Sequence, residues 1–250
     1  MKFRGRQQAP FSLAGGDLEL PGPMDLLIAA AVREMLARSD AAGFLEWIRR
    51  EGPAGHPGVF VDVPAPELWP SLATKLGVAL WDAMPFPHNG FRPDPLPAQK
   101  GSDACLCRSG KKFGRCCARL PVPPPFPPIL LWEALLRELE DEELIAAAAS
   151  LQMPGDLLLE LARWWQLEQL YERVLKLLEP VFRQLPRVLA TPAPKSRHDK
   201  PIREFLEPLL DVFLDALMER GSAAKERSWR KRLLAELPGE LQDKAKVLGV

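Results

Sequence analysis

Four cysteines carry the chemistry of this sequence. Cys105 and Cys107 are followed by Arg108-Ser109-Gly110-Lys111-Lys112-Phe113-Gly114-Arg115, then by Cys116 and Cys117. The chain has no other cysteine, and all four fall within a span of 13 residues. Zinc takes four soft ligands in a tetrahedron, with zinc–sulfur bonds of about 2.3 Å. Two ligand pairs joined by a tight turn meet that demand, Cys105 with Cys107 and Cys116 with Cys117. Gly110 and Gly114 permit left-handed backbone and close approach of the chain to the ion. Phe113, in mid-loop, is expected to cover the cluster. A catalytic zinc keeps an open fourth position, so four cysteines point to one structural Zn2+.

Four thiolates around one zinc leave a double negative charge. Six cations lie close by in sequence: Lys100, Arg108, Lys111, Lys112, Arg115 and Arg119, against the single acid Asp103. Neighbouring cations lower thiol pKa values and offset that charge. A disulfide pair is the competing reading, but nothing else in the sequence suggests an oxidising compartment. A dithiol redox site would show Cys-x-x-Cys spacing, which is absent here. Arg108, Lys111, Lys112, Phe113 and Arg115 form the candidate partner-binding face of the same loop.

This stretch resembles the SEC-C motif, the small zinc-binding module found at the C-terminus of the SecA preprotein translocase motor. That family reads Cys-x-Cys, eight residues, then Cys-Cys or Cys-His, with Ser-Gly-Lys-Lys and an aromatic inside. Cys107 and Cys116 have the eight-residue spacing, and Ser109-Gly110-Lys111-Lys112-Phe113 matches the interior. The family's four ligand positions fall on Cys105, Cys107, Cys116 and Cys117. Proline usually stands where this chain has Leu106, and glycine where it has Arg108. Arg108 must therefore adopt whatever backbone angle the turn requires. The resemblance implies a bacterial-type protein whose partner is an export chaperone or the ribosome.

The elements that must position this loop read as helices. Leucine and alanine dominate, while threonine, isoleucine and tyrosine are scarce, which disfavours sheets. The expected fold class is all-α: a helical N-terminal region, a small four-cysteine zinc knuckle and a C-terminal domain of helical hairpins. Residues 1–22 read as a flexible tail, 23–98 as the N-terminal helical region and 99–120 as the knuckle. Residues 121–128 read as a stiff proline-rich linker, and 129–250 as the C-terminal helical domain. Proline is enriched throughout, 27 in 250 residues, and punctuates helices rather than filling one tract.

Within the N-terminal region, helices are expected over Pro23–Ala37, after a cap at Ser39 or Asp40, and from Pro66 to Met84. The second of these is expected to end near Gly52-Pro53. Val59–Val63 reads as a short β-like run. Trp69 and Trp81 sit at helical spacing and read as core, although a ligand cage is an alternative. Residues 85–98 read as a proline-broken linker. The histidines His56, His88 and His198 are scattered and form no ligand pattern.

In the C-terminal half, Glu140–Glu143 suits a helix N-terminus. From Asp156, the offsets of Leu158, Leu161, Ala162, Trp165, Val174, Leu178 and Val181, closed by Pro186, resemble the tetratricopeptide repeat. A poorer match spans Leu210 to Pro238. Plain amphipathic hairpins explain both equally well. Arg220, Lys225, Arg227, Arg230, Lys231 and Arg232 form a basic helical face.

Lys plus Arg equals Asp plus Glu, 33 of each, so any polyanion site must be local. No apolar stretch reaches the length of a membrane span. The basic start, Lys2, Arg4 and Arg6, lacks the apolar core of a signal peptide, so a cytoplasmic location is expected. No nucleophile–base pair or phosphate loop is visible, so an enzyme is not expected. The expected function is a zinc-binding adaptor for protein–protein interaction. The alternative is a nucleic-acid (rRNA)-binding protein using the basic knuckle and the basic helical face. Partner, pathway and oligomeric state are not readable from the residues.

Overall fold

The computed structural model describes residues 22–38, 40–63, 65–121, 123, 126–192 and 200–246. The tail up to residue 21, Ser39 and His198 lie outside the described residues, as do parts of the two proline-rich segments. Among the described residues the chain is all-α: eleven α-helices, short 3₁₀ turns and two isolated bridge pairs, with no strand. It divides into two compact units, one ending at Leu139 and the other starting at Glu140. The sequence had suggested a boundary at 121–128.

The first unit opens with α1 (Pro23–Arg38), whose proline occupies a first-turn position where no N–H bond is lost. Leu27, Ile28, Ala31, Val32 and Met35 recur at three- and four-residue spacing and are buried. Helix α2 (Ala41–Gly55) starts at Asp40, whose carboxylate accepts the Gly43 N–H at 2.7 Å. It runs past the expected stop, with Pro53 in its last turn. A 3₁₀ turn at Pro66–Leu68 leads into α3 (Trp69–Ala83). Helices α2 and α3 share the most extensive packing of the unit. Gly77 permits it: a Cβ there would lie 2.6 Å from Ile48 Cγ2.

Trp81 is a core residue, while Trp69 is half-buried at the start of α3. The Trp69 Nε1–H donates to Val63 O at 3.1 Å, and Trp81 is buried against Phe44 and Phe86. Val59–Val63 is not extended. Pro57–Val59 is a 3₁₀ turn, and the N–H groups of Phe60 and Val63 donate to Pro57 O and Phe60 O. Those local bonds fold the run into turns, while Phe60 turns inward onto Trp69. Residues 85–98 are tied to α3: Trp81 Nε1–H donates to Asp94 O, and Leu96 N–H donates to Asp82 Oδ1. After the proline-rich stretch, α4 (Pro128–Leu136) packs against α1, and Trp132 stacks on Phe91 at 5.7 Å. That packing places α4 with the first unit.

The second unit holds α5 (Asp141–Ala149), α6 (Gly155–Leu167), α7 (Tyr171–Arg183), α8 (Leu185–Leu189), α9 (Leu206–Arg220), α10 (Ala223–Glu236) and α11 (Gly239–Ala245). Glu140 and Glu143 form a reciprocal capping box at the start of α5. Their carboxylates are thereby used structurally. Pro180 lies within α7, and Pro186 begins the short α8 instead of ending the helical run. Helix α7 packs more extensively on α9 and α5 than on α6. Phe182 stacks on Phe213, which meets Trp229 edge-on.

Candidate metal centre

The loop from Gly101 to Leu120 is built from turns rather than helices. Asp103 Oδ2 accepts the Lys100 N–H at 2.7 Å and sets the entry turn. Ala104 and Lys112 then form an isolated antiparallel bridge, with Cys105 N–H donating to Lys111 O and Phe113 N–H to Asp103 O. Arg108 N–H donates to Cys105 O, closing the turn that carries the first two sulfurs. On the far side, Cys116 N–H donates to Phe113 O and Leu120 N–H to Cys117 O.

Two backbone requirements stand out. Arg108 adopts φ +55°, so a non-glycine residue does occupy the left-handed turn position. Gly114 serves a close approach: a Cβ there would meet Gly101 O at 3.0 Å and Gly101 Cα at 3.1 Å.

This frame gathers the four sulfurs. Their Sγ atoms all lie within 4.8 Å of one another, and Cys107 Sγ is 3.4 Å from both Cys105 Sγ and Cys116 Sγ. Tetrahedral bonds of about 2.3 Å place ligand sulfurs about 3.8 Å apart. A disulfide would bring two of them to about 2.05 Å, and all four cysteines are free. Cys105, Cys107 and Cys117 are buried, and Phe113, Cys116 and Leu120 pack against them.

Four thiols this close, three of them buried, cannot all ionise without a cation among them. Burial raises the Cys105 thiol. Burial, and then the neighbouring Cys105 and Cys107 sulfurs, raises Cys117 strongly. At Cys107, burial also acts upward, but hydrogen bonds from Ser109 and Ser71 overcome it and bring the thiol down to about 6. Donor type, number and spacing therefore fit a metal ion.

Residues 102–119 match the SEC-C motif. The match covers the knuckle alone. No curated protein and no solved structure matches the chain. The matched segment includes all four cysteines together with Arg108, Lys111, Lys112, Phe113 and Arg115.

The body of the first unit holds the SEC-C motif at three points. Lys75 Nζ on α3 donates to Leu120 O at 2.6 Å and to Cys117 O at 3.2 Å. Cys117 Sγ–H is directed at Ser71 O, 3.7 Å away on the same helix. Arg108 Nη1 lies 2.9 Å from Glu46 Oε2 on α2. Between α3 and the motif lies an apolar cavity of about 160 Å³, bordered by Val78, Leu96, Pro97, Leu106, Phe113 and Cys117.

Sequence reasoning had not singled out Ser71, Lys75 or Glu46. The one available signal was Lys75, the sole basic residue of a mostly apolar α3. Of the expected partner-binding residues, Arg108, Lys111, Lys112 and Arg115 are exposed, and Phe113 is half-buried against the cysteines. Arg108 is committed to Glu46. His88 is exposed and rests against Phe86, and the cysteine cluster is completed without it.

Proposed function

We propose that this chain is a zinc-stabilised adaptor, a non-enzymatic protein that presents its SEC-C motif to a protein partner in the cytoplasm. One observation carries the reading: the motif turns its sulfurs inward and its cations outward. Cys105, Cys107 and Cys117 are buried, while Lys100, Lys111, Lys112, Arg115 and Arg119 are exposed on the same short loop. Zinc is the metal that best suits four thiolates at these separations. Bound there, it supplies cross-linking of the loop, and the chain's own residues supply the recognition surface. The apolar cavity beside Leu106 adds a socket for an aliphatic side chain next to the cations. Chaperones and ribosomal components are the first partners to try, on the strength of the SEC-C resemblance.

The basic face of α10 lends less support to nucleic-acid binding than its charge suggests. Lys225 is paired with Glu179, and Arg232 is paired with Glu236 while also donating to Arg183 O. Arg183 and Arg232 both lie over the Trp229 ring. Those cations are spent within the fold. No helix among the described residues is long and apolar enough to cross a membrane.

The test is affinity capture with the intact protein beside Cys116→Ser and the double variant Lys111→Ala/Lys112→Ala. A partner retained by the intact protein and lost with both variants is the expected result. Capture of nucleic acid instead, with affinity falling steeply with salt, would replace the adaptor by the alternative.

A further inference from the structure

A second surface lies in the unit that follows Glu140. Asp156, Glu160, Arg163, Trp164 and Leu167 fall on one stripe of α6, and with Leu159 and Phe205 they line an open cavity of about 310 Å³. Leu167 is 82% exposed, far more than an isolated aliphatic side chain in a helix needs to be. Trp164 is half-buried beside it.

The charges on this stripe are left incomplete in an ordered way. Asp156 is paired with Lys200, which also lies over the Phe205 ring. Glu160 has no such partner: its Oε2 is buried without a hydrogen bond. Burial, and then Asp156, pushes its carboxyl above the usual range. Arg163, nearly one turn further on, is exposed, and no ion pair among the described residues engages it. A half-buried carboxylate without a cation is costly, and a donor brought from outside removes that cost.

We infer that this face of α6 is a self-association surface, whose occupant is α6 of a second copy of the chain in an antiparallel, two-fold pairing. In such an interface each contact occurs twice, residue i on j and j on i. With the axis level with Leu161 and Ala162, each Glu160 faces the Arg163 of the other copy. The same register sets Trp164 over the other copy's Leu159. It also brings the exposed Leu167 level with Asp156 of the other copy. There Phe205 packs against the start of the helix: a Cβ on Gly155 would lie 2.7 Å from its ring. One register thus satisfies both orphaned charges and covers the exposed leucine with an aromatic. A foreign cationic peptide would satisfy Glu160 but leave Arg163 without a partner, so the observations favour a copy of the same chain.

Sedimentation velocity of the intact, metal-loaded protein over a wide concentration range tests this. The expected result is a reversible dimer. Leu167→Asp, on a side chain that makes little internal packing, should abolish it with an unchanged circular dichroism spectrum. Glu160→Arg and Arg163→Glu should each weaken it roughly tenfold or more, by placing like charges together. The double variant carrying both changes should restore it. A monomer at every concentration overturns the inference and leaves the face to a foreign partner. A dimer indifferent to Leu167→Asp overturns it too, by placing the interface elsewhere. Failure of the double variant to recover overturns the reciprocal pairing. None of these outcomes depends on the adaptor reading.

Discussion

Arg108 Nη1 stands 2.9 Å from Glu46 Oε2, joining the turn that carries Cys105 and Cys107 to α2. The same arginine holds φ +55°, a backbone state that favours glycine. Relief of that conformation contributes about 1 kcal/mol, while the exposed ion pair contributes little. Arg108→Gly should therefore keep full metal content and raise the melting temperature slightly or leave it unchanged. Calorimetry of the metal-bound variant checks this. A clearly lower melting temperature would show that the arginine is the main tether of the loop.

Glu46 gives the first unit an acid-sensitive contact. Its pKa is lowered, first by the hydrogen bond from Arg49 at 2.5 Å and secondarily by the charges of Arg49, Arg108 and Arg50, despite an opposing effect of burial. A carboxylate depressed on folding stabilises the fold above its ordinary value near 4.5. That contribution is lost as pH falls through the depressed value. Glu46→Gln should therefore lower stability slightly near neutrality, converge with the parent in acid and so flatten the acid limb of the stability curve. Unfolding midpoints measured from neutral to acid pH for both proteins decide it; parallel curves contradict the assignment.

Lys75 is the main anchor of the knuckle on α3. Its ammonium donates to two carbonyls, those of Cys117 and Leu120. Hydrogen bonds to a charged group contribute about 1.5–3 kcal/mol each. Lys75→Met should leave α3 folded yet speed metal loss to a competing chelator. Equal release rates for the two proteins would remove Lys75 from the account.

Gly114 tests the loop's closest backbone approach. Gly114→Ala drives a methyl group against Gly101 O and Gly101 Cα. Overpacking of this kind costs about 1–3 kcal/mol. The variant should bind metal more weakly, whereas Gly90→Ala, remote from the cysteines in sequence, should not. Metal titration of the two separates them, and equal affinities would contradict the geometry.

Much of this was legible in the residues. Cysteines confined to 13 positions announce their own cluster. Pro23, Asp40 and the apolar spacing of α1 to α3 announce helices whose positions agree closely with those observed. The misses have physical causes. Val59–Val63 has the composition of a strand, but Pro57 and Gly58 start a turn whose local bonds take the N–H groups of Val59, Phe60 and Val63. Lys75 and Leu120 are 45 residues apart, and no local pattern records that contact. Gly114 looks like a turn residue, yet its role is to admit Gly101, a fact of tertiary packing. The run 220–232 reads as a bare basic face because its acidic partner Glu179 lies on α7.

Chelation offers a further check on how the first unit is built. Zinc contributes on the order of 10–16 kcal/mol to finger peptides. The helices α1 to α3 have their own buried faces. Hydrogen exchange should therefore show residues 101–120 losing protection on metal removal while the core amides of α1 to α3 keep theirs. Joint collapse of both would mean that the metal holds the whole unit.

X-ray absorption at the zinc edge of reduced, freshly purified protein addresses the four sulfurs themselves. One zinc per chain with four sulfur neighbours at about 2.3 Å is the expected result. Protein free of metal, or a metal bound mainly through oxygen or nitrogen, would contradict it.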